Sequence, residues 1–368
     1  MKIFRFAAIV LVLLGVCALT VAGCETSGSP PGSIDSTGLY PVEVDERWGY
    51  IDNTGELLME PQFEHAADFF EGFASVWLED GVGFIDTSGN LVYEERHDFS
   101  GGVFLVGIGR FSEGFATKTI RLLGHDPDLR LSYIDVAGET SSRVLADGLP
   151  FHEGYAAVQT DILCLWDSYR PKQWHYMGTT GAFLAGPAFE SAESFCEGLA
   201  CVGTSGKYGY IDHTGALAIE LQFDEAHSFS EGLASVATEG RRGYIDGTGD
   251  WIIELPVGTL SRAESSAFSE GLATVWRGEL AGYMDTNGKM AIEPQFYGAT
   301  RFCEGLAAVR LEPGGPWGYI DRDGVLLIQP QYYGVEPFRD GLARVHLADQ
   351  PDAFAYIDKT GKVIWQGE

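Results

Sequence analysis

The chain has 368 residues, of which 45% are hydrophobic and 12% aromatic, and it carries a formal charge of −29. So acidic a surface repels phosphate backbones and anionic headgroups, which argues against nucleic acid as a partner and against a protein lying flat on a membrane. The length would suit two or three ordinary domains, but one repeated pattern runs through nearly all of it and points to one elongated or toroidal domain.

In chain order, residues 1–23 read as a targeting segment and take no part in the fold. Lys2 and Arg5 are basic, and Phe6 to Val16 is an apolar stretch of about 11 residues, shorter than the ~20 that a membrane span needs. Val21-Ala22-Gly23-Cys24 resembles the lipobox of bacterial lipoproteins. The resemblance implies cleavage before Cys24 and a thioether-linked diacylglycerol with palmitate-type chains on its sulfur, and two or more chains make a stable membrane anchor. Without Lys2 and Arg5 the charge becomes −31. Residues 24–38 then form a flexible Ser/Gly/Pro tether with a reach of roughly 20 Å.

Residues 39–368 form the repeat domain. Its marker is a Gly-Tyr-Ile-Asp step, giving Asp52, Asp86, Asp135, Asp212, Asp246, Asp285, Asp321 and Asp358, with Gly178 in the Asp place of a ninth copy. Neighbouring copies lie from 34 residues (Asp52 to Asp86) to 49 residues (Asp86 to Asp135) apart, the range of stacked or radial repeats. Each copy reads as a three-stranded antiparallel meander. A Leu-Ala-x-Val strand comes first, Gly-Tyr-Ile-Asp second, and an apolar run such as Leu57-Leu58-Met59 third. The Asp-x-x-Gly between the second and third supplies turn chemistry, since the carboxylate accepts a nearby backbone N–H and the glycine takes positive φ.

Two aromatic columns run through the copies. Tyr50, Phe84, Tyr133, Tyr176, Tyr210, Tyr244, Tyr283, Tyr319 and Tyr356 form one; Phe70, Phe111, Phe151, Phe195, Phe229, Phe268, Phe302 and Phe338 form the other. A single meander cannot cover such rings, so neighbouring copies must pack together. Copies two to four, about residues 72–185, are degenerate and hold insertions, the last containing Cys164, Trp166 and Tyr169.

Trp48-Gly49 and Trp317-Gly318, followed by Tyr-Ile-Asp and a later Glu-Gly-Leu-Ala, resemble the WG-repeat family of bacterial proteins. Tyr208-Gly209 is close, Val82-Gly83, Arg242-Gly243 and Ala281-Gly282 keep the glycine, and Leu131-Ser132, Trp174-His175 and Phe354-Ala355 lose it. The resemblance implies a tandem β-repeat module and brings no single activity with it. The expected fold is therefore all-β, about nine three-stranded meanders. A complete meander at each end favours an open superhelical stack, with a propeller-like toroid as the alternative.

A column of Glu71, Glu113, Glu153, Glu197, Glu231, Glu270, Glu304 and Asp340 is read as capping backbone N–H groups in the turn before the first strand. The sharper alternative is a calcium ladder, which needs several oxygen ligands per ion. The chain has no Gly-x-Ser-x-Gly, phosphate loop, His-Glu-x-x-His or paired Cys-x-x-Cys. No enzymatic activity, metal or cofactor is expected. Bridges from Cys201 to Cys196 or Cys164 and buried free thiols all stay open. The expected function is a non-enzymatic scaffold for a protein partner in the cell envelope. The alternative is a glycan or small-ligand receptor that stacks on Trp166, Tyr169, Trp174 and Tyr176.

Overall fold

The computed structural model describes residues 37–96, 103–122, 129–141, 145–160, 173–256, 259–260, 267–347 and 353–367. Cys24, Trp166 and Tyr169 lie outside the described residues. Those described form antiparallel sheets and no helix. Unit one holds strands Tyr40–Val44, Arg47–Ile51 and Leu57–Phe63. Unit six shows the regular plan, with Ala234–Thr238, Arg241–Ile245 and Trp251–Glu254 preceded by a two-residue strand, Glu225–Ala226. This entry strand makes the sheets of units two, five, six and seven four-stranded rather than three-stranded. Between units eight and nine one strand, Leu326–Val335, serves as both third strand and entry strand, and it joins the two units into a seven-stranded sheet.

The glycine of the Trp-Gly step has a steric cause. The third strand shifts register where it pairs with the second, for example between Tyr208↔Phe223 and Tyr210↔Ile219, and this brings a third-strand carbonyl over the glycine. A Cβ at Gly49, Gly209, Gly282 or Gly318 would stand 2.3 to 2.5 Å from the carbonyl oxygen of Met59, Ile219, Ile292 or Ile328. Positions 132 and 175, which are not glycine, belong to units whose sheets show no third strand among the described residues, while Ala355 of unit nine departs from the pattern beside a third strand.

Each unit packs on the next by the same contacts. The tyrosine of one unit meets the column phenylalanine of its successor, as in Tyr210–Phe229 (4.9 Å between centroids), Tyr283–Phe302 (4.7 Å) and Tyr319–Phe338 (5.0 Å). Such tilted pairs add about 0.5–1.5 kcal/mol each beyond their buried area. In unit two the column member is Phe69, which packs on Tyr50 at 4.9 Å, and not Phe70 as the sequence suggested. Phe70 instead lies under the guanidinium groups of Arg110 and Arg339. The tyrosine hydroxyl then donates to a backbone carbonyl of the next unit. Tyr50 reaches Ala67 O (2.7 Å), Tyr210 reaches His227 O (2.8 Å), and Tyr283 reaches Thr300 O (2.7 Å). The phenol is thus buried with its polar end satisfied. Finally, at the regular junctions the turn glycine of the next unit lies on a third-strand side chain. A Cβ on Gly249 would meet Ile219 Cγ2 at 3.3 Å, and one on Gly361 would meet Ile328 Cγ2 at 3.2 Å.

The last unit meets the first through a matching aromatic contact and hydroxyl bond. Tyr356 pairs with Tyr40 at 5.3 Å and its hydroxyl donates to Pro41 O at 3.1 Å. The turn glycine sits one position off the internal pattern: a Cβ on Gly55 would meet Ile364 O at 2.7 Å and Ile364 Cγ2 at 3.3 Å, and Ile364 is the counterpart of Leu327 and not of Ile328. Tyr40, Val42 and Ile51 share a buried cluster with Leu342 and Tyr356. Tyr40 stands where other units have alanine, and its ring fills the place of the missing phenylalanine. Arg339 adds an ion pair of 2.7 Å to Asp68 of unit two. The run of junctions therefore returns to its start. The intact end meanders, which favoured an open stack, leave no strand to interlock, but side-chain packing alone joins them, and this contact speaks for the toroidal alternative.

If the closing junction equals the internal ones, Tyr356→Phe and Tyr283→Phe should each lower stability by about 1–2 kcal/mol in urea unfolding, since each leaves a buried carbonyl without its donor. An unchanged midpoint for Tyr356→Phe alone would contradict the closure.

Candidate functional site

The residues that recur most regularly are committed to holding the units together. Glu71, Glu113, Glu153, Glu197, Glu231, Glu270, Glu304 and Asp340 all have φ between 50° and 55°, a left-handed conformation that costs a non-glycine residue of order 1 kcal/mol. It aims the carboxylate out of its own turn. Glu231 accepts the N–H of Gly271 at 2.8 Å, Glu270 that of Gly305 at 2.9 Å, and Glu304 that of Gly341 at 3.1 Å. The sequence reading placed these bonds within each unit's own turn. The structure sends them to the following unit, a target that becomes visible only once the units pack. Where the residue after the turn aspartate is basic, it contacts the same glutamate, at its carboxylate for His213 and Lys359 and at its backbone carbonyl for Arg322. His213 lies 3.0 Å from Glu153, Lys359 lies 3.0 Å from Glu304, and Arg322 donates to Glu270 O.

The turn aspartates have equally local tasks. In each of Asp52, Asp86, Asp135, Asp212, Asp246, Asp285, Asp321 and Asp358, Oδ1 accepts the N–H groups of the residues two and four positions on, as Asp246 does from Thr248 (2.9 Å) and Asp250 (3.1 Å). Among the described residues no three His, Cys, Asp or Glu side chains converge as metal ligands. The calcium ladder finds no support, because the carboxylates face backbone N–H donors instead of one another.

The proposed stacking platform is only partly brought together. Tyr176 is 3% exposed, packs on Phe195 at 4.9 Å and donates to Glu193 O at 2.6 Å. It is a junction residue like the other column tyrosines and presents no ring to a ligand. Trp174 is half-buried beside Phe189, against the cluster of Ala157, Tyr176 and Phe195. Cys196 is disulfide-bonded, whereas Cys201 and Cys303 are free, so neither suggested bridge to Cys201 forms.

Two features escaped the sequence reading. One is an exposed apolar series on the third strands. Leu58, Ile252, Val325 and Leu327 are 50 to 56% exposed, and Tyr333 nearby is 65% exposed. Their alternation with Met59, Ile253 and Ile328, which point inward, was hidden because both faces of these strands carry apolar residues. The other is the half-buried carboxyl of Glu193 at the junction with unit six, which burial pushes up to about 7 against the opposing bond from Ser228.

Four stretches, residues 48–77, 208–241, 282–312 and 317–347, match the WG containing repeat. The chain carries WG repeats. Each matched stretch begins at or near a Trp-Gly position and ends in or just after the next unit's first strand, so the sequence unit straddles a junction. No curated protein matches the chain. Among solved structures it is similar to a eukaryotic initiation factor, at 12% identity and a TM-score of 0.58 over 89% of this chain and 94% of that one. AztD from Citrobacter koseri gives 12% identity and a TM-score of 0.37 over 69% and 84%, and puromycin hydrolase 15% and 0.37 over 90% and 61%. At these identities the first likeness concerns the fold alone, and the other two carry no weight for fold or function.

The turn bonds make stability depend on acid. Bonds from Thr54, Asn90, Thr214 and Thr248 lead in holding Asp52, Asp86, Asp212 and Asp246 below the usual carboxylate range; at Asp358 slight burial opposes the bond from Thr360, which prevails. A depressed folded-state value stabilises the fold above the ordinary carboxylate pKa, and that contribution fades as pH falls through the lower folded value. Asp246→Ala should therefore lower the melting temperature clearly at pH 7 and much less at pH 3. Equal losses at both values would contradict the ionised turn.

Proposed function

We propose that this WG-repeat protein is a non-enzymatic interaction scaffold of the bacterial cell envelope, tethered to a membrane through acylated Cys24. The observation that carries the reading is the division of labour on the repeat. The recurring aromatic and acidic groups are used up in junctions and turns, while large apolar side chains recur exposed on the third strands at Leu58, Ile252 and Leu327. Apolar positions repeated on an acidic, solvated surface suit a protein partner that covers them. The disulfide at Cys196 fits an oxidising compartment and hence an exported chain, in keeping with the leader and its lipobox-like end. The receptor reading keeps Trp174 and loses Tyr176, so no observation favours it over the scaffold.

The test uses the membrane-tethered full chain, cross-linked in cells and purified with what it holds. A stoichiometric envelope protein is expected, retained by a variant lacking residues 160–173 and reduced at least tenfold by Leu58→Ser, Ile252→Ser and Leu327→Ser together, with the melting temperature nearly unchanged. A partner lost with the deletion and kept by the triple variant would transfer the function to the irregular middle. Release of the chain from membranes by Cys24→Ala is the accompanying outcome for the anchor.

A further inference from the structure

Units five and nine place a glutamate at the same point of the repeat. Glu193 O receives the Tyr176 hydroxyl at 2.6 Å, and Glu336 O receives the Tyr319 hydroxyl at 3.0 Å. Eight residues further on, in the first strand, stands the residue each side chain faces. In unit nine this is Arg344, whose Nε donates to Glu336 Oε1 at 2.8 Å, so that carboxylate has a fixed cation. In unit five it is Cys201, a buried neutral thiol.

Among the described residues, the surroundings of Glu193 supply no replacement charge. From unit six, Ser228 Oγ donates to its Oε2 at 2.6 Å. From unit five, Cys201 Sγ points to Ala226 O (3.5 Å) and the Tyr210 hydroxyl donates to His227 O (2.8 Å). From unit four, Tyr176 uses its hydroxyl on the backbone. His227, beside Ser228, interacts with Glu225 and Arg242 and loses proton affinity through its own burial. Among the described residues no lysine, arginine or histidine forms an ion pair with Glu193. The strand that carries it, Ser191–Cys196, shifts register between Ala192 and Phe195. It packs on Tyr176 of unit four on one side and on unit six through Ser228 on the other.

We propose that Glu193 is a proton-controlled latch at the junctions joining units four, five and six. Protonated, its carboxyl is neutral, keeps its bond with Ser228 and leaves the junctions closed. Ionised, it is a half-buried charge at a junction without a counter-ion among the described residues, and the entry strand Ser191–Cys196 opens more readily. The sign follows from burial. A carboxyl whose folded value is raised from the ordinary 4.5 to about 7 costs the closed state nothing below the ordinary value. The cost grows as pH rises and levels off above about 7. The latch is thus tightest in acid, opposite to the turn aspartates, and the two effects are separable by pH.

Hydrogen exchange of the Ser191–Cys196 amides, corrected for the intrinsic pH dependence of exchange, tests this on the full chain with its disulfide intact. Between pH 6 and pH 8 the opening equilibrium of the wild type is expected to rise about tenfold relative to that of Glu193→Gln. Identical pH dependence in the two proteins would overturn the proposal. Should Glu193→Gln fail to fold, infrared difference spectra of the wild type decide the matter. A protonated carboxyl band lost between pH 6 and 8 is required, and no such band in that interval would overturn the latch.

Discussion

No unit of this protein is complete by itself, and the rest of the structure follows from that constraint. The tyrosine of each Gly-Tyr-Ile-Asp step needs a neighbouring ring to cover it and a neighbouring carbonyl for its hydroxyl, and only the next unit supplies both. A tyrosine buried without the carbonyl would leave a polar group unpaired in the core. A carbonyl without the tyrosine would fare no better. The glutamate held at positive φ extends the same dependence to the surface, since its carboxylate closes the turn of the next unit and not its own. Stability is therefore shared along nearest-neighbour contacts, as in other repeat proteins, and the first and last units are stable because Tyr356 and Tyr40 give them to each other.

This economy leaves few groups over for chemistry. Eight turn aspartates and the glutamate column account for most of the regularly placed carboxylates, and each of the aspartates and of the seven glutamates accepts a backbone N–H. Residues that depart from the pattern are the informative ones. Arg339 and Phe70 strengthen the closing seam, where unit one has no entry strand among the described residues. Arg344 neutralises Glu336 in unit nine. Cys201 leaves Glu193 without such a partner in unit five. The exposed apolar residues of the third strands form the part of the surface whose composition internal packing does not require.

Much of this was legible in the sequence. The repeat period, the strand types, the Asp-x-x-Gly turns and the tyrosine column follow from local chemistry, and local chemistry is what a single sequence shows best. Three things were not legible, each for a physical reason. The two-residue entry strands are too short to carry any periodicity. Phe69 and Phe70 are chemically alike, so only packing reveals which one faces Tyr50. Whether the ends meet depends on small rotations added up over nine junctions, and Tyr40, which completes the last junction, sits in an alanine position where the repeat pattern gives it no meaning. Tyr176 belongs to the tyrosine column and also borders an insertion, and only packing shows that Phe195 covers its ring and leaves none of it to a ligand.

The claim on which the account rests is that unit nine packs on unit one as each unit packs on the next. Spin labels at Asn53 and Lys362 span the closing junction, and labels at Gly247 and Ala216 occupy the corresponding places between units six and five. Distance measurement by pulsed electron paramagnetic resonance should give two similar, short and narrow distributions. A long or broad distribution for Asn53 and Lys362, beside a short one for the internal pair, would contradict the closure.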